Sequence, residues 1–174
     1  MKYLIVIDMQ NDFIDGSLGS EDAKAIVDTV AGKVKSFEGT VLYTMDTHSE
    51  NYMETQEGQK LPVKHCIKGT KGWDLNPKIR KVIESKGGTK FEKGSFGSPD
   101  LAAYLMKANE QEKIDEIELC GLCTDICVIS NAMMLKSCLP ETEIVVDSNG
   151  CRGVSHESHK TALEAMKTCQ ITIK

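Results

Sequence analysis

Short apolar runs alternate with segments of helical period from one end of this chain to the other, and that alternation constrains the fold more than any other feature. YLIVI at 3–7 opens as a strand. Residues 21–37 place Ala23, Ile26, Val27, Val30, Val34 and Phe37 on one face at helical spacing, with Ser20 positioned to cap. TVLYTM at 40–45 returns to a strand. PKIRKVIES at 77–85 starts with proline at a helix's first position, where its missing N–H costs nothing. TKFE (89–92) reads as a strand, 98–109 as a helix, EIELCG (116–121) as a strand and 127–138 as a helix. EIVVD (143–147), a helix over 155–169 and QITI (170–173) complete the series. Strands and helices in turn predict an α/β fold of three layers: a doubly wound, mostly parallel sheet with helices on both faces. No linker, repeat or low-complexity segment interrupts it, so residues 1–174 are expected to form a single domain.

The balance of 21 basic against 26 acidic residues leaves a formal charge of −5, the wrong sign for nucleic acid. YLIVI is too short for a signal-peptide core or a membrane span, and no other segment does better. No nucleic-acid or membrane partner is therefore expected, and the location is expected to be cytoplasmic. Seven cysteines are an odd number without an obvious disulfide framework, and in a reducing compartment they stay thiols. Cys138, Cys151 and Cys169 read as small buried hydrophobes.

Chemistry gathers at the ends of the strands. Asp8 ends the first, Asp46 and His48 the second, Lys93 the third, and Thr124, Asp125 and Cys127 follow the fourth. Ligands of a doubly wound sheet bind outside the carboxyl ends of its strands, so these residues belong to one rim. A turn or cap role explains any one acidic residue there, but the whole set less well. Residues 46–75 show no clear period and are too long for an ordinary connection, which marks a functional loop.

The stretch ELCGLCTDICVI, residues 118–129, packs three cysteines into eight positions. With Thr124 or Asp125 as cap, Cys127 falls in the first turn of a helix, where the N-terminus favours a thiolate and free N–H groups can hold an oxyanion. Cys120 lies within a strand and faces the core. The single CxxC has no second pair to complete a four-thiolate zinc site.

GLCTDICV is similar to the nucleophile turn of the isochorismatase-like cysteine hydrolases. DMQNDF (8–13) resembles that family's opening motif and EKGSFG (92–97) its lysine segment. MDTH (45–48) and HCIKGT (65–70) resemble the metal loop of its nicotinamidase (pyrazinamidase) branch. The motifs run in order along nearly the whole chain. The resemblance implies the isochorismatase-like hydrolase fold and a catalytic set of Asp8, Lys93 and Cys127, with Asp8 accepting the thiol proton and Lys93 holding the charges. It implies oxyanion donors at the backbone N–H groups of Cys123 and Cys127, and a cis peptide between Leu122 and Cys123. It also implies a divalent metal, zinc ahead of manganese or iron, on Asp46, His48, His65 and a fourth ligand, Glu57 rather than Glu54. His156 and His159 are expected at the surface. Phe13, Leu122 and Phe96 are expected against the substrate, and a homo-oligomer is expected because family members often assemble. Two positions depart from the branch. Pro62, preceded by Leu61, stands where an aromatic packs on the pyridine, and the second aromatic after Phe96 is absent.

The leading expectation is hydrolysis of nicotinamide to nicotinate and ammonia through a thioester. The same cysteine chemistry on a ureido, carbamoyl or other small amide is the alternative. A non-enzymatic thiol metal or redox protein using Cys120, Cys123 and Cys127, and a catalytically silent binding module, are the readings from other classes.

Overall fold

The structure is a computed structural model and describes residues 1–174. Its strands are β1 (Lys2–Ile7), β2 (Thr40–Asp46), β3 (Thr89–Lys93), β4 (Glu116–Leu122), β5 (Glu143–Arg152) and β6 (Thr172–Ile173). They form one sheet in the order β3-β2-β1-β4-β5-β6, and every neighbouring pair is parallel. A sheet of this kind is covered on both faces, which explains why β1 is a continuous apolar run and not an alternating one. Leu4, Ile5, Val6 and Ile7 are all completely buried.

The helices are α1 (Asn11–Ile14), α2 (Glu21–Ala25), α3 (Val27–Ser36), α4 (Gln56–Lys60), α5 (Pro77–Ser85), α6 (Pro99–Gln111), α7 (Ile129–Cys138) and α8 (His156–Thr168). α3 packs on α5, while α6, α7 and α8 pack in series as the other layer. None is long and apolar enough to cross a membrane. Ser20 caps α2 as its position suggests, accepting the Ala23 N–H at 3.0 Å. The helix expected over 21–37 breaks at Ile26, whose side chain is buried at the break. The helix expected from 127 begins at Ile129, after a π turn over Thr124–Val128. β5 runs on to Arg152, beyond the five-residue strand its apolar run suggests, because β4 shifts register against it between Leu119 and Gly121. The unpatterned loop contains a 3₁₀ turn (Tyr52–Glu54) and α4.

Strand order reverses between β1 and β4, which opens a crevice at their carboxyl ends. Gly121 lets the two strands close beneath it. Its φ is +122°, and an added Cβ would lie 2.1 Å from the Ile7 carbonyl oxygen, so no other residue fits. Lys33 on α3 bolts the far side of the sheet, with its Nζ 2.6 Å from Glu118 on β4 and 2.9 Å from Asp147 on β5. Burial works against the charged ammonium, yet the two carboxylates hold its pKa above the ordinary lysine value.

Polar side chains of the β1–α1 segment moor the long loop. Asn11 Nδ2 donates to the Lys71 carbonyl at 2.7 Å, and Asp12 Oδ2 accepts the Cys66 N–H at 2.7 Å. Gln10 accepts the Asp46 N–H at 2.7 Å and donates to the Asp46 carbonyl at 2.9 Å.

Candidate active site

Asp8 leaves β1 with a φ of 46°, a left-handed conformation that aspartate tolerates better than most residues. Thr44 on β2 fixes it from both sides. The Thr44 hydroxyl donates to Asp8 Oδ1 at 2.6 Å and accepts the Asp8 N–H at 3.3 Å. Lys93, at the end of β3, sits 2.7 Å from Asp8 Oδ2 and 3.3 Å from Asp46 Oδ1, and donates to Cys127 Sγ at 3.3 Å. All four groups are buried. A lysine survives there only because acidic partners meet it on two sides. Asp8 Oδ2 makes no well-aligned hydrogen bond despite the short lysine contact, so that contact is one of charge. The Asp8 charge also acts on the Cys127 thiol.

Burial pushes Asp8 above the ordinary carboxylate range, with Lys93 pulling down and Asp46 pushing up. Burial, then the Asp8 charge, hold the Cys127 thiol well above its ordinary value against the pull of Lys93. The helix-terminus effect expected to depress this thiol is therefore outweighed. A thiol and a carboxyl group thus meet around one lysine, groups that can serve as nucleophile, base and charge partner.

Neither Thr124 nor Asp125 caps the turn that holds Cys127, because both side chains reach across to the start of α8. Thr124 Oγ1 and His159 Nδ1 are hydrogen-bonded at 2.8 Å, and Asp125 accepts the Val154 N–H at 3.1 Å. Cys123 takes the N-cap position instead. The Leu122–Cys123 peptide is cis. The Cys123 carbonyl accepts the Val128 N–H at 3.0 Å, while no protein acceptor takes the Cys123 N–H. Among the sequence candidates, His156 is exposed as expected, but His159 is half-buried against this turn.

Beside the thiol centre lies a second group. Donor atoms of Asp46, His48, Glu57 and His65 all fall within 4.8 Å of one another. His48 Nε2 is 3.0 Å from Asp46 Oδ2 and 3.6 Å from Glu57 Oε1, and His65 Nε2 is 3.5 and 3.8 Å from the same oxygens. Ligands at zinc-like bond lengths on a tetrahedron would stand roughly 3.4 Å apart, so the spacing fits one small divalent ion. His65 donates its Nδ1–H to the Val63 carbonyl at 2.8 Å, which turns Nε2 inward. The buried Tyr52 ring packs on both imidazoles, 4.7 and 5.0 Å between centroids. Burial opposes charge on Asp46, but His48, His65 and Lys93 hold it below the ordinary carboxylate value. Glu54 lies outside the group and is exposed. Asp46 joins the two centres, one oxygen facing the imidazoles and the other Lys93.

A cavity of about 390 Å³ connects them, bordered by Asp46, Glu57, His65, Cys123 and Cys127. Phe13, Leu122 and Phe96 line it, as does Leu61. Pro62 does not. Sequence reasoning missed Gln10, Thr44, Tyr52 and Asn131. Asn131 donates to the Cys127 carbonyl at 2.8 Å and the Phe96 carbonyl at 3.1 Å, tying the turn to the loop after β3. Most of these contacts join elements distant in sequence, and no local pattern announces them. Cys120 is fully buried in the core and Cys127 opens on the cavity, so the three clustered cysteines have different surroundings. All seven cysteines are free.

The isochorismatase domain matches residues 2–173. The nicotinamidase/pyrazinamidase of Mycobacterium tuberculosis is 30% identical over 99% of this chain and 98% of its own. The crystal structure of the nicotinamidase/pyrazinamidase from Bacillus subtilis superposes with a TM-score of 0.86 at 28% identity, covering 99% of this chain and 98% of that one. The pyrazinamidase/nicotinamidase from Streptococcus mutans gives 0.85 at 27% identity over the whole of both chains.

Proposed function

Because the chain belongs to the isochorismatase family, in its nicotinamidase branch, we propose that it is an amidohydrolase converting nicotinamide to nicotinate and ammonia at Cys127. The observation that carries this reading is that Lys93 joins Asp8 to Cys127, and that Cys127 borders the same cavity as Asp46, Glu57 and His65. Asp8 takes the thiol proton, and Lys93 steadies the thiolate and the carboxylate in turn. Sulfur attacks the carboxamide carbon. The backbone N–H groups of Cys123 and Cys127 meet the oxygen as it gains charge. Asp8 gives its proton to the departing ammonia, then draws one from the water that cleaves the thioester. Phe13, Leu122 and Phe96 hold the ring.

Asp46, His48, Glu57 and His65 would hold a divalent ion, zinc ahead of manganese or iron for this mixed imidazole and carboxylate set. When bound it supplies a Lewis acid suited to a pyridine nitrogen. One sheet and one core cluster support reading residues 1–174 as a single domain. The free thiols support a reducing, cytoplasmic setting.

A second reading keeps the chemistry and changes the amide. Where the branch carries an aromatic, Pro62 stays off the cavity and Leu61 borders it, which leaves one stacking ring fewer and favours a ureido or carbamoyl compound to that extent. Ammonia release by the metal-loaded protein, with nicotinamide beside a panel of such amides, separates the two. Preference for nicotinamide supports the first reading, and turnover confined to the panel replaces it with the second.

A further inference from the structure

The turn from Cys123 to Cys127 closes through its own backbone, the Ile126 N–H reaching the Cys123 carbonyl at 3.1 Å, but its polar side chains bond elsewhere. Thr124 and Asp125 both reach out to the junction of β5 and α8, where they meet His159 and Val154. Thr124 is completely buried, so its hydroxyl needs a protein partner. His159 is that partner, at 2.8 Å. Asp125 Oδ2 also lies 3.2 Å from the Val154 N–H, so the second tie involves both carboxylate oxygens. The close approach is built into the backbone. A Cβ on Gly153 would sit 2.9 Å from His159 N and 3.0 Å from its Cα, so glycine is what allows α8 to start this near. Burial and the Arg152 charge keep the imidazole below its ordinary pKa, with Asp125 working the other way, so the ring is mostly neutral near pH 7.

We propose that His159 is a positioning residue, which through Thr124 holds the Cys123–Cys127 turn in the shape that brings its N–H groups to the reacting carbonyl. This rests on the reading of Cys127 as the nucleophile. His159 itself touches neither the thiol centre nor the imidazole–carboxylate group. Its effect is therefore expected on charge stabilisation in the transition state and not on capture of the ring.

The test is a double-mutant cycle on the purified, metal-loaded enzyme with nicotinamide. His159→Leu removes the partner of Thr124, Thr124→Val removes the hydroxyl, and His159→Asn keeps a short polar group near the Nδ1 position. The leucine and valine variants should each lose about tenfold in kcat with KM within about twofold, since an oxyanion contact is made in the transition state. The double variant should lose little more than either, and His159→Asn should recover most of the rate. Metal content should not change. Additive losses, a loss confined to KM, or equal rates for leucine and asparagine would overturn the proposal. Iodoacetamide alkylation of Cys127 needs no substrate and provides a second cycle. The single variants should alter its rate, and the double variant no further. An inactive wild type would overturn the assignment of nicotinamide, while coupling in the alkylation cycle would still decide on His159.

Discussion

Asp8 carries two burdens that conflict in solution and agree in this structure. As the proposed base it must stay ionised to take a proton, and it must be buried to be of useful strength. Thr44 reconciles these by donating at 2.6 Å while Lys93 supplies charge at 2.7 Å. Thr44→Val should leave a buried acceptor short of one partner, worth about 1–3 kcal/mol, and lower kcat by roughly tenfold to a hundredfold. Asp8→Asn should cost at least ~10³-fold by the precedent of other triads. Steady-state kinetics on both variants check this, and a Thr44→Val enzyme at wild-type rate would contradict it. Metal content tests the neighbouring group: Glu57→Ala should lower bound metal per chain, while Glu54→Ala should not. The common rim of Asp8, Lys93 and Cys127 was legible in the sequence because each ends or follows a strand, while the family resemblance singled these three out from Asp46, His48 and Asp125 beside them. Thr44 was not, because a threonine in a strand is ordinary until its partner is known. The expected caps at Thr124 and Asp125 went wrong for the same reason, since α8 lies too far along the chain for a local pattern to show that it competes for them.

At the scale of elements, strand ends do the placing. Asp46 and Lys93 are register partners on β2 and β3, so one adjacency brings a donor of the imidazole–carboxylate group beside the lysine of the thiol centre. β1 and β4 bring Asp8 and the Cys127 turn together across the reversal of strand order. Gly121 sets their separation. Gly121→Ala combines a positive φ with a clash against Ile7 and should destabilise by at least roughly 2 kcal/mol. Its effect on kcat should exceed its effect on folding, because Ile7 adjoins Asp8. Denaturant unfolding and kinetics on the folded variant read the two separately, and an unperturbed variant would contradict this role for the glycine. The parallel α/β pattern was visible because buried parallel strands are unbroken apolar runs. The break at Ile26 and the extension of β5 to Arg152 were not, because both answer to packing and register that no periodicity encodes.

For the whole molecule, the buried thiols govern behaviour in alkali. Cys120 and Cys151 are fully buried, and burial pushes Cys151 up to about 12. Below the ordinary thiol pKa of about 8.5, folded and unfolded chains are both protonated and these groups cost nothing. Above it the unfolded chain sheds protons that the folded chain keeps, so stability falls as pH rises toward 12, by up to about 1.4 kcal/mol per unit for each thiol. Thermal melts from pH 7 upward should therefore decline beyond about 8.5. A variant carrying Cys120→Ala and Cys151→Ala should melt lower at neutrality but decline less steeply, and parallel slopes would contradict the assignment. None of this alters the central claim, that one of seven thiols cleaves the amide of nicotinamide. Its most direct test is ammonia release from nicotinamide by the metal-loaded wild type beside Cys127→Ala with equal metal content. Turnover by the wild type and loss of at least ~10³-fold in the variant is the result expected. Turnover surviving in Cys127→Ala, or none in the wild type, would contradict it.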